Sequence, residues 1–380
     1  MYKGLGMLRP LLWCSAFLVS IGVWSGSVQA AAGFDPAQNS DHQARYERYI
    51  FGPTAETIDF GIQPLWMPVG VILETMRRDS LLREDLRRAG RSVRFHPFFK
   101  GSDINRFLHA GKLVGGVGGD LPGIHACKDD QVRIVSLFDV GYATIVTRHA
   151  MFLADLRGQK IGYPHGSAAH FTLLKALAIA RLTPDDARLV PMNVHAMPTA
   201  LQQGYVHAYV AWEPTTTLSI HQGQGWPLFR SLMTGYLYFS PDLAQRDPQV
   251  VKSFLASQVR ALNWLLESEW HLRLAVSWAI QSARDFLPDV SLPSQDGLEM
   301  IALRGIRRLG ALPIVDENEL TKEGHLGQVF DFLQSMGGLP NTFTWDAVRA
   351  CFDSKTLLHV LADPVGNRLQ NFSYQGVISP

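Results

Sequence analysis

Candidate chemistry concentrates in the stretch GYPHGSAAHF, residues 162–171, where a strand-like apolar run meets a helix-like run. The first amides of a helix have no acceptor within the helix and lie at the positive end of its dipole. Because Gly166 and the two alanines, Ala168 and Ala169, leave these amides uncovered, a small anion can reach them. Ser167 can either cap the helix or donate its hydroxyl to the anion, and His170 lies near one turn along. The alternative is an ordinary helix cap preceded by a glycine turn.

Catalytic and cofactor motifs are incomplete in this sequence. A nucleophile elbow, Gly-x-Ser-x-Gly, would need glycines at two positions where His165 and Ala169 stand. The run GGVGGD lacks the spacing of a dinucleotide fingerprint, since Leu121 occupies the last glycine position. The 13 histidines are scattered, and no HExxH motif occurs. The sequence therefore predicts no catalytic residue, no metal site and no cofactor.

The N-terminus has the pattern of a secretory signal. Lys3 and Arg9 precede an apolar segment at 11–24, and small residues lead to a cleavage site after Ala30. A membrane anchor is the alternative, but the apolar segment is short for a membrane span. We therefore predict a signal peptide over residues 1–30 and a periplasmic protein.

Charge and cysteine content limit the partners. Without Lys3 and Arg9, the 35 basic residues become 33 against 34 acidic ones, a net charge of −1. This balance argues against nucleic acid as a partner, since nucleic-acid binding usually requires a basic surface.

Cys127 and Cys351 would be the cysteines left after processing, and they could pair or remain two buried thiols.

Strand-like and helix-like runs alternate from Thr57 to about residue 226 and predict an α/β fold. Several strands are almost continuously apolar, as expected when helices cover both faces of a parallel sheet. One helix is predicted over 68–90, and separate strands are predicted at 132–138 and 143–148. After about Ser240 the pattern is mostly helical. There, Asp247 is the predicted cap of a helix that begins at Pro248, and residues 341–380 are less regular.

Residues 155–192, DLRGQKIGYPHGSAAHFTLLKALAIARLTPDDARLVPM, resemble the periplasmic substrate-binding proteins of ABC importers for aliphatic sulfonates, taurine and nitrate. That family commonly has Asp-Leu-x-Gly-Lys, then Gly-Ser/Thr-x-x-His, then Leu-Thr-Pro-Asp-Asp. ALQQGYVHAYVAWEP at 200–214 resembles its element closed by Trp-x-Pro, and FGIQP and GGVGGDLPGI match earlier elements. The motifs cover roughly residues 57–339. Ile62 and His207 depart from the pattern, where the family often has an aromatic residue and Asp.

The resemblance implies a type II periplasmic-binding-protein fold, in which two α/β lobes are joined by two crossing strands and hold ligand between them. Lobe I would comprise residues 57–147 and 236–340, and lobe II residues 150–226. Residues 341–380 would form a C-terminal extension without an assigned role.

Ligands of such sheets gather at the carboxyl ends of strands. The resemblance then places these residues around one cleft: Gln63, Gly119, Asp120, Leu121, Pro122, Phe138, Gly166, Ser167, Ala168, His170, Trp212 and Glu213.

Three of these residues have a purely structural alternative. Trp212 could belong to the core or form an apolar wall over a carbon chain. Glu213 could complement a helix dipole or pair with a ligand ammonium group. Asp120 could cap a helix or contact ligand.

The implied function is that of an extracytoplasmic solute-binding protein that delivers a small organic anion to an ABC transporter permease, and we predict that it is a monomer. A sulfonate such as taurine or an alkanesulfonate ranks first. The alternatives are a ligand-sensing partner of a membrane receptor and a binder of nitrate or of a pyrimidine thiamine precursor. A related enzyme group that makes the thiamine pyrimidine uses a cysteine-rich motif, which this sequence lacks.

Overall fold

Eight strands form one mixed sheet in the order β2-β1-β3-β8-β4-β7-β5-β6. The structure is a computed structural model that describes residues 44–53 and 55–376, so the predicted signal peptide lies outside the described residues. The strands are β1 Thr57–Ile62, β2 Ser92–Pro97, β3 Gly115–Gly119, β4 Arg133–Thr147, β5 Lys160–Tyr163, β6 Arg188–Pro191, β7 Ala208–Ala211 and β8 Trp226–Phe239.

The sheet has two halves of parallel strands. β1 pairs in parallel with β2 and β3, and β5 pairs in parallel with β6 and β7. Between the halves lie the two long strands β4 and β8, which are antiparallel to each other and to their outer neighbours. The two long strands therefore connect the halves.

The strands predicted separately at 132–138 and 143–148 are one strand, β4, so that prediction was wrong. Asp139 and Gly141 interrupt the apolar pattern between the two segments, although both pair with β8. Register shifts occur along this pairing, for example between Leu137 and Asp139. Such irregularities let one long strand bend without ending.

Helices cover the sheet and fill the region after β8. They are α1 Val69–Arg78, α2 Ser80–Arg88, α3 Gly101–His109, α4 Asp120–Lys128, α5 Ala168–Ile179, α6 Met197–Gln202, α7 Thr215–His221, α8 Pro241–Arg246, α9 Pro248–Glu267, α10 Glu269–Phe286, α11 Gln295–Leu309, α12 His325–Ser335, α13 Trp345–Ala350 and α14 Ser354–Ala362. Short 3-10 helices span Leu153–Leu156, Pro184–Asp186, Val194–Ala196 and Glu317–Leu320. Among the helices of the described residues, none is both long enough and apolar enough to span a membrane.

The helix predicted over residues 68–90 divides at Asp79. Its Oδ1 accepts a hydrogen bond of 2.9 Å from the Leu81 amide and so caps α2. Its Oδ2 accepts from Nε and Nη2 of Arg260 at 2.9 and 2.7 Å, and both side chains are fully buried. The break follows from this ion pair with a residue far along the chain, which the local helical pattern does not contain.

Two further local predictions need correction. α9 begins at Pro248 as predicted, but the Asp247 side chain makes no capping hydrogen bond and instead pairs with Arg91 Nε at 3.1 Å. Residues 341–380 include α13 and α14 and are more regular than predicted. Ile134 of β4 exchanges backbone hydrogen bonds of 2.8 Å with Cys351 and Asp353, which ties this segment to the sheet.

The core under the first half of the sheet is aromatic. The rings of Phe60 and Phe254 stack with their centroids 5.0 Å apart, and the Phe239 ring packs against Phe254 at 5.2 Å. All three side chains are fully buried. Since aromatic side chains bury large apolar areas, this cluster anchors β1 and β8 to α9.

Candidate functional site

A cavity of about 260 Å³ lies where β1, β3, β5 and β7 end. The carboxyl ends of these strands meet in the middle of the sheet, where ligands of such folds bind. The lining residues are Gln63, Trp66, Gly101, Gly119, Pro122, Ser167, Ala168, Trp212 and Met233. The cavity therefore brings together six of the sequence-predicted residues: Gln63, Gly119, Pro122, Ser167, Ala168 and Trp212.

The turn before α5 presents unpaired amides to this cavity. Ser167 is the helix cap, because its Oγ accepts from the His170 amide at 3.3 Å. The same hydroxyl donates to the Pro164 carbonyl at 2.6 Å, so its hydrogen is already used. In the described part of the chain, the amides of Ser167, Ala168 and Ala169 have no hydrogen-bond acceptor. Ser167 and Ala168 line the cavity, so their amides remain as donors for an anion.

Gly166 brings this turn against the other half of the sheet. Its φ is +73°, in the left-handed region that favours glycine. A Cβ at this position would lie 3.5 Å from Cβ and Oγ of Ser102, near the start of α3. Gly166 thus shapes the turn but does not line the cavity.

His170 lies behind the turn and is not among the residues lining the cavity. Its Nδ1 accepts from the Gly166 amide at 3.4 Å, and its ring packs against Tyr163 with centroids 4.7 Å apart. Burial, together with the nearby charges of His165 and Lys100, lowers the pKa of His170 to about 4. The imidazole is therefore neutral at ordinary pH and helps to orient the turn.

Two tryptophans form the apolar walls. Trp212 follows β7, and its buried Nε1 has no hydrogen-bond partner in the described structure. Such a buried, unpaired donor is costly unless a ligand satisfies it. Trp66 packs its indole against Gly235 of β8, where a Cβ would lie 2.5 Å from its Cη2.

Gln63 is held at the end of β1 by a hydrogen bond of 2.7 Å from its Nε2 to the Val117 carbonyl. The amide nitrogen carries two hydrogens, so one remains available together with Oε1. Gly119 ends β3 beside α5, where a Cβ would make an ordinary contact of 3.5 Å with Ala168. Both residues line the cavity.

Asp120 does not line the cavity; it has structural partners instead. Its Oδ1 accepts from the Leu121 amide at 2.6 Å, and its Oδ2 accepts from the Thr234 amide at 3.2 Å and from His325 Nε2 at 2.8 Å. Burial lowers the pKa of His325, but the hydrogen bond and charge of Asp120 outweigh burial and raise it above its usual value. Phe138 is fully buried in β4 and also lies outside the lining.

Glu213 lies at the start of α7, where its Oε2 accepts from the Thr217 amide at 3.1 Å. This hydrogen bond supports the helix-dipole alternative for Glu213. Its carbonyl oxygen accepts from the Met67 amide at 3.1 Å, which joins the loops after β1 and β7. Glu213 also lines a second cavity.

The second cavity, of about 490 Å³, is named the arginine pocket after Arg230, Arg304 and Arg308, which line it around Tyr142. Cζ of Arg230 and of Arg308 lie 4.8 and 5.0 Å from the Tyr142 ring centroid. The remaining lining residues are Met67, Pro68, Asp139, Gly141, Thr144, Glu213, Met233, Ile301 and Gly305.

Sequence reasoning missed Trp66, Gly101 and Met233 in the first cavity and the three arginines in the second. Trp66 could have been found, since it follows Gln63 within the same loop. The arginines come from β8 and α11, and their sequence positions carry no shared motif.

Metal and cysteine chemistry are not evident at either cavity. No group of three or more His, Cys, Asp or Glu side chains suited to a metal ion exists among the described residues. Cys127 and Cys351 are buried free thiols and line neither cavity. Burial, and then the neighbouring Cys351 thiol, raises the pKa of Cys127.

Comparison with known proteins identifies relatives that bind sulfonates. The family described as NMT1/THI5 like matches residues 132–269. The taurine-binding periplasmic protein of Escherichia coli K12 is 25% identical over 186 residues, 46% of this chain and 57% of that protein. A second protein of that strain, named for binding aliphatic sulfonates, is 31% identical over 139 residues, 33% of this chain and 41% of that protein. The chain spans about half the length of the curated relatives it matches.

Solved structures extend the likeness over more of the chain. The alkanesulfonate-binding protein SsuA from Xanthomonas axonopodis pv. citri, bound to MOPS, has a TM-score of 0.62 at 18% identity and covers 80% of this chain and 100% of its own. Most similar structures are binding proteins, although the desulfurization enzyme DSZB has a TM-score of 0.52 at 14% identity, covering 81% of this chain and 99% of its own. The predicted resemblance and the predicted two-lobed α/β fold are confirmed. At these identities the structures show the fold alone.

Proposed function

We propose that this protein is an extracytoplasmic solute-binding protein that captures a small organic anion, with a sulfonate as the first candidate, for delivery to an ABC transporter permease. The observation that carries the proposal is the cavity at the carboxyl ends of four strands, whose lining includes Ser167 and Ala168 with amides that lack acceptors. The names of the relatives support a solute-binding role.

A sulfonate suits these donors. Its three oxygens can accept several hydrogen bonds, and the group remains charged at ordinary pH, so no side chain must supply or remove a proton. The unpaired Trp212 Nε1 offers a further donor to an oxygen of the ligand. The walls of Trp66, Pro122 and Met233 favour an organic tail over a bare inorganic anion.

The lining of the first cavity argues for binding without catalysis. It contains no titratable acid, base or thiol. Its one hydroxyl, on Ser167, already donates to Pro164. General acid–base or nucleophilic catalysis requires such a group within reach of the ligand.

For the transport cycle, we propose that residues 57–147 with 236–340 act as one lobe and 150–226 as the other, hinged on β4 and β8. Closure would bury the ligand and present a new surface to the permease, as in other hinged binding proteins. We propose that the chain acts as a monomer in the periplasm after removal of residues 1–30.

Calorimetry and thermal unfolding of the chain from Ala31 onward would test this function. The panel comprises taurine, ethanesulfonate, butanesulfonate, nitrate and a formylated aminopyrimidine, added after refolding to remove carried-over ligand. A ligand at about 100 times its Kd adds about 2.7 kcal/mol to the free energy of unfolding. We expect one or more sulfonates to give this stabilisation.

A matched pair of variants on α5 tests the site. Ala168→Leu fills the cavity beside the unpaired amides, whereas Ala178→Leu adds the same bulk at an exposed position. We expect the first to abolish sulfonate binding and the second to preserve it. The sulfonate assignment would be refuted if nitrate or the pyrimidine alone binds. It would also be refuted if sulfonate binding survives Ala168→Leu.

A further inference from the structure

The arginine pocket holds three guanidinium groups without carboxylate partners. Within residues 44–53 and 55–376, the side chains of Arg230, Arg304 and Arg308 form no salt bridge and no hydrogen bond. Arg230 and Arg308 contact the Tyr142 ring, which holds them beside the pocket. Guanidinium groups bind carboxylates and other oxyanions through paired hydrogen bonds. The three groups are therefore available to an anion.

Neither acidic residue of the pocket forms a salt bridge with these arginines. Glu213 directs one oxygen to the Thr217 amide. Asp139 is fully buried, and neither of its oxygens has a hydrogen bond of standard geometry; the Trp66 indole faces it without reaching that geometry. Burial raises the pKa of Asp139 to about 7, although the Trp66 indole, Arg308 and the Val140 amide oppose the shift. At neutral pH the pocket thus has more positive than negative charge.

The arginine pocket adjoins the cavity with the unpaired amides. Met233 lines both cavities. At two places along the chain, one residue lines the first cavity and the next residue lines the arginine pocket. These pairs are Trp66 with Met67, and Trp212 with Glu213. The two cavities are therefore neighbours on either side of Met233.

We propose that the ligand is a sulfonate with a second acidic group at its far end, and that Arg230, Arg304 and Arg308 bind this group. This inference rests on the proposed function. The chemical class of the ligand is a sulfonate with a carboxylate tail. A ligand with an ammonium tail would place its positive charge toward three guanidinium groups and is disfavoured.

The test compares ligands of equal length that differ in tail charge: propane-1-sulfonate, 3-sulfopropanoate and 3-aminopropane-1-sulfonate, measured by calorimetry. The series also includes analogues with one methylene more and one methylene fewer, so that the ligand length that spans the two cavities is covered. We expect the carboxylate to bind about tenfold or more tighter than the uncharged tail, since charge-assisted hydrogen bonds are the strong ones. We expect the amine to bind weakest.

Arg304→Gln and Arg230→Gln should remove the preference for the carboxylate and leave the affinity for propane-1-sulfonate nearly unchanged. Arg307→Gln is the control, because this exposed arginine on α11 makes the same charge change and does not line the pocket. Three results would each overturn this inference alone. They are equal binding of the carboxylate and the uncharged ligand, tightest binding of the amine, and a preference for the carboxylate that survives both variants. If no sulfonate of the series binds, this inference and the proposed function both fail.

Discussion

Lys100 donates a hydrogen bond of 3.0 Å from its Nζ to the carbonyl oxygen of His165. Lys100 immediately precedes α3 in the first half of the sheet, whereas His165 belongs to the turn that bears the unpaired amides. The contact therefore links the two halves beside the candidate anion site. The Met67–Glu213 backbone hydrogen bond is a second link between the halves.

Lys100→Met should weaken ligand binding about two- to tenfold, because one hydrogen bond between the halves is lost. We expect the free energy of unfolding to change by less than about 1 kcal/mol, since the donor is at the surface. Calorimetry and denaturant unfolding would measure both. Lys112→Met, at an exposed position, is the control. An unchanged affinity in Lys100→Met would show that this contact does not support the bound state.

Gly235→Ala should destabilise the protein by about 1–3 kcal/mol, because the new Cβ would lie 2.5 Å from Trp66 Cη2 and 3.1 Å from Asp139 Cβ. The displaced indole should also weaken ligand binding. Gly123→Ala, on buried α4, is the control, since its nearest side-chain atoms lie 3.8 Å away. Equal stabilities of the two variants in urea would contradict the tight packing of Trp66 on β8.

Asp139→Asn should change how stability depends on pH. The pKa of Asp139 is raised by burial to about 7, so the unfolded chain loses this proton at lower pH than the folded protein. The folded state therefore loses stability as the pH rises from about 4 to about 7, by roughly 4 kcal/mol from this group. Asn removes that loss.

Urea unfolding of wild type and Asp139→Asn at several pH values would measure the difference. The variant should gain relative stability as the pH rises, whereas Asp289→Asn, at an exposed position, should follow wild type. A constant difference between Asp139→Asn and wild type across this range would exclude a raised pKa for Asp139.

Arg260→Met should cost about 3–5 kcal/mol, because it leaves the carboxylate of Asp79 buried without its charged partner. Arg349→Met breaks an exposed pair with Asp346 and should cost less than about 1 kcal/mol. Thermal and denaturant unfolding would compare the two variants. If the two variants lose the same free energy of unfolding, the Asp79–Arg260 pair does not stabilise the break between α1 and α2.

The local sequence determined the features that depend on neighbouring residues. Alternating apolar and helical patterns predicted an α/β fold, and the residues around Ser167 predicted a strand end, a glycine turn and a capped helix. These features depend on backbone propensities and hydrogen bonds that span a few residues. The first amides of α5 lack helical acceptors wherever the helix lies in the fold.

The tertiary structure decided which side chains meet. Asp79 breaks a helix because Arg260 reaches it from 181 residues away, and Glu213 faces the arginine pocket although its neighbour Trp212 lines the other cavity. Arg230 lies on β8 and Arg304 lies on α11. The two residues line one cavity because these two elements meet there. Cavities form where distant elements fail to fill space, and no short sequence pattern records that packing.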